Sequence, residues 1–123
     1  MTASPFLSLP ESSPSLKGRG RVGEFMRIFA MHVFSALFRF RLQTRTLKEK
    51  RGIVKSILAR ARNNFNVASA EVDDQDVPGS ALLAFVTVSE GRSQGRRILE
   101  QIEERIVAER PDVELVAVEI EER

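Results

Sequence analysis

The side chains best suited to chemistry in this chain are two groups of opposite charge. One is a carboxylate cluster, Glu71, Asp73, Asp74 and Asp76, and the other is a run of cations between positions 48 and 62. Clustered carboxylates suit a hard cation, but this stretch lacks the glycine position and the distal glutamate of a calcium loop. The competing reading is a solvated turn whose aspartates hydrogen-bond their own backbone. There is no cysteine and a single histidine, His32, so thiol nucleophiles, thiolate metal sites and disulfides are excluded. His32 has no second histidine with which to share a metal and reads as structural or exposed. Neither a phosphate-cradling glycine loop nor a nucleophile elbow is present. The residues therefore assign no catalytic, metal or cofactor role, and the expectation is a protein that is not an enzyme.

The cations are more informative. Lys48, Arg51, Lys55 and Arg62 recur at i, i+3, i+7 and i+14, which puts them on one strip of a helix. A one-signed strip of this kind can neutralise successive phosphates. It also arises on solvated helices whose lysines and arginines lay their stems along the edge of the core. Arg39 and Arg41, on a preceding strand, complete the candidate nucleic-acid contacts, with RNA or ribosomal subunits as the partner.

Positioning these groups requires regular elements. From Met31, Phe34, Ala36, Phe38, Phe40 and Leu42 alternate with Ser35, Leu37, Arg39 and Arg41, the period of a half-buried strand. Thr46-Leu47-Lys48-Glu49 is a capping box opening a helix, with Leu47, Val54, Ile57, Leu58 and Ala61 on its apolar stripe and Asn63-Asn64 near its end. Residues 67–72 read as a short strand, and Pro78-Gly79 as part of a turn. Residues 81–88 form a nearly continuous apolar run, as in a central strand buried on both faces. A second helix over 92–109 turns Gly95, Leu99, Ile102 and Ile106 inward, and residues 113–120 form the last strand.

The order β-α-β-β-α-β, with two right-handed crossovers, predicts an α+β ferredoxin-like fold. Four antiparallel strands form one sheet, both helices lie on one face, and strands one and three are central. The other face is left open, and Leu37, Leu83 and Phe85 are expected there. An uncovered apolar face is a binding surface, which supports a second reading, a protein-interaction or regulatory domain such as a homodimer. RNA-recognition modules of this topology stack bases on sheet aromatics, but here only Phe85 would supply one.

The 123 residues carry 42% hydrophobic and 29% charged side chains with a net charge of +2, the make-up of one ordinary globular domain. Residues 1–66 hold 13 of the 19 basic and 3 of the 17 acidic groups, a net of +10, and residues 67–123 a net of −8. That asymmetry survives folding only if the halves stay apart. The run from Ile28 to Phe38 is interrupted by His32 and Ser35 and is far short of the ~20 residues of a membrane span, so a cytoplasmic protein is expected. Residues 1–25 hold Pro5, Pro10, Pro14, Gly18, Gly20 and Gly23 without helical or strand period. They read as a disordered tail, or as an extension from a start codon assigned too early, ahead of a single domain over 26–123. The run Lys17-Gly18-Arg19-Gly20-Arg21 reads as a solvated basic segment.

Thr46-Leu47-Lys48-Glu49-Lys50-Arg51 follows a strand ending Leu42-Gln43-Thr44. Together with Asn64-Phe65-Asn66-Val67, Ala70-Glu71-Val72-Asp73-Asp74-Gln75-Asp76 and Thr87-Val88-Ser89, these segments resemble the YlxP-like family of small bacterial proteins of unknown function. The resemblance covers about residues 31–120. It implies the ferredoxin-like fold and a gene neighbourhood shared with translation and ribosome-maturation factors, and it implies no reaction. Because residues 1–25 offer few groups to bury, their removal should shift the thermal midpoint by less than about 4 °C. A larger fall in a melting curve would show that they pack on the domain.

Overall fold

The alternating apolar residues from Phe34 to Leu42 form β1 (His32–Leu42), and Phe34, Ala36, Phe38, Phe40 and Leu42 are all buried. The computed structural model describes residues 31–123; what the sequence suggests for residues 1–25 lies outside them. α1 (Leu47–Asn64) begins where Thr46 Oγ1 accepts from the Glu49 amide at 3.2 Å. The Glu49 carboxylate accepts from the Arg45 amide at 3.3 Å. The capping box is thus reciprocal, with its return bond one residue before the cap. β2 (Ala68–Asp73), β3 (Ser80–Ser89), α2 (Arg92–Glu109) and β4 (Val113–Glu122) follow.

The sheet order is β2-β3-β1-β4 and every neighbouring pair is antiparallel. This is the ferredoxin-like α+β arrangement. Val54, Ile57 and Ala61 of α1 and Leu99, Ile102 and Ile106 of α2 join the buried β1 and β3 residues in one core. At its centre Phe38 packs edge-on to Phe40 at 6.2 Å between ring centroids and tilted against Phe85 at 5.2 Å. Each fully buried phenylalanine contributes about 1.5–3 kcal/mol of transfer free energy, so the aromatic line along β1 is the main apolar support of the sheet.

Two expectations for β3 need correction. Leu83 and Phe85 do not lie on the open face; both are fully buried beneath the helices. Residues opposite each other in an antiparallel pair share a face, and the register sets Leu83 against Phe38 and Phe85 against Ala36. The run 81–88 is apolar at both parities, so its pattern cannot say which set faces inward. Nor is β3 buried on both faces among the described residues: Val86 is 41% and Val88 50% exposed. Leu37, as expected, is on the open side, opposite Ala84.

α2 approaches the sheet through Gly95, where an added Cβ would stand 2.6 Å from Phe34 Cδ1 and 2.8 Å from Ser89 Oγ. Gly52, in α1, has nothing within 4 Å of the same position. Gly95→Ala should therefore destabilise by about 1–3 kcal/mol, overpacking outweighing the gain in helix propensity. Gly52→Ala should stabilise by up to about 1 kcal/mol. Urea unfolding midpoints of the two variants test this opposition of sign.

Candidate functional site

The capping box fixes the start of α1 and thereby the rotation of its charged face. Lys48, Arg51 and Lys55 are exposed, and none has an ion-pair partner among the described residues. Helical rise spaces them about 4.5 and 6 Å apart along the axis. Arg62 is exposed as well, but its guanidinium donates to Ser69 Oγ of β2 at 2.9 Å, which tethers it at the end of the strip.

Arg39 and Arg41 do not join this surface. They sit at open-face positions of β1, opposite Leu82 and Ser80, on the side of the sheet away from the helices. Arg39 Nη1 lies 2.6 Å from Asp74 Oδ2 and Arg41 Nη1 3.0 Å from Glu114 Oε1. The six expected nucleic-acid contacts thus fall into two groups on opposite faces.

The sheet explains why the cations of β1 are paired while those on the outside of α1 are not. β1 comes from the basic half of the chain and lies between β3 and β4, which come from the acidic half. The pairs His32–Glu122, Arg39–Asp74, Arg41–Glu114, Lys50–Glu71 and Arg60–Glu109 all join one half to the other. These pairs offset four of the nine lysine and arginine charges of residues 31–66. Lys48, Arg51 and Lys55, on the outside of α1, are not among them, and α1 packs toward β2, whereas α2 covers β3, β1 and β4.

One cation of the run between 48 and 62, expected to add charge beside the strip, is not on the surface at all. Lys50 is fully buried, at 0% exposure. Its ammonium contacts Glu71 Oε2 at 2.8 Å and donates to the Asp74 carbonyl. The Glu71 contact has the distance of an ion pair without the angle of a hydrogen bond, so Coulomb attraction carries it. Its periodicity was the available signal: Lys50 is four residues before Val54, on the apolar stripe itself.

The acidic turn is therefore engaged from inside the domain. Asp74 has the left-handed backbone, φ 62°, that aspartate tolerates better than most residues. Its Oδ2 accepts from Ser80 Oγ at 2.8 Å and from Arg39. The Ser80 hydrogen bond, aided by Arg39 against partial desolvation, holds the Asp74 carboxyl below its ordinary value. Glu122 is lowered likewise, first by the hydrogen bond to His32 and then by Arg92. A lowered folded-state value means these interactions stabilise at neutral pH, and their contribution disappears as pH falls through it. Asp73 Oδ1 accepts from the Asp74 amide at 2.9 Å, the self-capping of a turn. Among the described residues no three metal-ligating side chains converge, and no helix is long and apolar enough to cross a membrane.

The fold and this site define a ferredoxin-like domain with a buried lysine knot beneath one sheet edge and an unpaired basic helix strip beside it. The chain belongs to the family described as "Protein of unknown function (DUF503)", which matches residues 33–120. It is 37% identical over 57 residues to the "Uncharacterized protein YlxP" of Bacillus subtilis (strain 168). That alignment spans 46% of this chain and 62% of the relative's length. The family description assigns no reaction.

Lys50 tests the knot directly. Lys50→Met keeps the volume but strands Glu71, and is expected to destabilise by about 2–4 kcal/mol. Lys50→Met with Glu71→Gln should recover more than half of that loss in urea titrations, because no unpaired charge is left behind.

Proposed function

We propose that this protein is a cytoplasmic, non-catalytic binding module that holds RNA, in the free state or on a ribosomal subunit, through the outer face of α1. One observation supports the reading: Lys48, Arg51 and Lys55 stay exposed and unpaired while the cations of β1 and the inner face of α1 are neutralised from the other half of the chain. Cations left free on one strip retain their attraction for a polyanion, whereas paired ones must break an existing interaction first. Their axial spacing suits neighbouring phosphates of a strand, and none of the strip residues is aromatic, so recognition rests on the phosphate backbone. Binding of this kind is salt-dependent and weakly sequence-selective.

Replacing Lys48, Arg51 and Lys55 together by glutamine should leave stability within about 1.5 kcal/mol, since exposed charges contribute little to folding. The same variant should bind RNA or ribosomal subunits more weakly. The slope of log affinity against log salt should also fall by about one unit for each phosphate no longer neutralised. Co-sedimentation with subunits at two salt concentrations reads both quantities. Reduced affinity with an unchanged slope would indicate a protein partner, and unchanged affinity would leave the strip as solvated surface.

A further inference from the structure

The open side of the sheet is apolar where a solvated face would be polar. Along β1 it carries Val33, Ser35 and Leu37, set by register against Val88, Val86 and Ala84 of β3. Ala68 and Ala70 of β2 continue the surface from Val86 and Ala84, and Ala117 of β4 continues it beyond Arg39. Charges sit toward its margin: Arg39 and Arg41 at one end of β1, Glu119 and Glu121 of β4 beside Leu37 and Ser35, and Arg123, whose guanidinium donates to Ser35 Oγ at 2.8 Å. An apolar centre with a charged margin is the anatomy of an interface. β3 adds an independent sign, because its sequence is that of a strand buried on both faces while Val86 and Val88 stand 41% and 50% exposed.

We propose that this face is covered by the same face of a second copy of the chain, giving a sheet-on-sheet dimer. The surface is flat, built of small and β-branched side chains, and a second pleated sheet about 10 Å away is the shape that fits it. A two-fold axis between the two sheets makes such a contact self-complementary. Four strands and about eight residues of length give a flat area of about 500 Å² per copy, which brings the pair to about the 1,000 Å² needed for a specific interface. The dimer is therefore of modest affinity, and it leaves both α1 strips on its outside.

Sedimentation equilibrium of the full chain from about 1 to 200 µM should show reversible dimerisation, the range expected of an interface of this size. Val86→Lys and Val88→Lys lie at positions that are already part-exposed, so each monomer should keep its circular dichroism spectrum and melting midpoint. Each is expected to raise the dimer dissociation constant at least tenfold. A full chain that stays monomeric at the highest concentration overturns the proposal. So does a dimer whose affinity neither substitution changes. A chain that is monomeric until residues 1–30 are removed also overturns it, identifying that segment as the occupant of the face.

Discussion

β1 is hydrogen-bonded along both edges, to β3 on one side and β4 on the other, and the rest of the domain is arranged around that constraint. Because β1 is central, its alternate residues Phe34, Ala36, Phe38 and Phe40 lie where both helices must pack. Because it also carries His32, Arg39 and Arg41, it meets the carboxylates of β4 and of the turn before β3. One placement therefore builds the aromatic core and pairs the cations of β1 with carboxylates from the other half of the chain. The cations of α1 that point away from the sheet lie beyond its reach.

The buried lysine belongs to the same arrangement from the helix side. A lysine at 0% exposure is tolerated only where its charge is compensated, and here Glu71 and the Asp74 carbonyl supply the compensation. Asp74 in turn is held by Ser80 and Arg39. α1, β1, β2 and β3 are thus joined by a short chain of polar contacts at one corner of the domain. Those residues include parts of the two most charged motifs in the sequence, Thr46–Arg51 and Ala70–Asp76, so the motifs have a structural role in common.

Much of this was legible in the sequence. The periods of β1 and α2 and the capping box at Thr46 fixed those elements to within a residue or two, because one face of each is apolar and the other polar. The strip of Lys48, Arg51 and Lys55 was legible for the same reason. β3 was less so: Ala81 to Val88 is apolar at both parities, and only pairing with Phe38 decides that Leu83 and Phe85 face the helices. The partners of Arg39, Arg41 and Lys50 are 35, 73 and 21 positions away. Contacts at such distances depend on the sheet order, which residue periods do not encode.

The central position of β1 has a consequence for biogenesis. Synthesis runs from the N-terminus, so the strand that needs two neighbours emerges before either of them, and Phe34 is 88 positions ahead of its cross-strand partner Glu122. Closing so long a loop is slow, and a domain dominated by such pairings has a high contact order. During that interval a strand with three phenylalanines and two open edges is exposed to other nascent chains. Arg39 and Arg41 interrupt its apolar surface at alternate positions, the pattern that discourages a hydrophobic strand from self-association. The same two guanidiniums that later pair with Asp74 and Glu114 are thus in place on the strand before those carboxylates have been made.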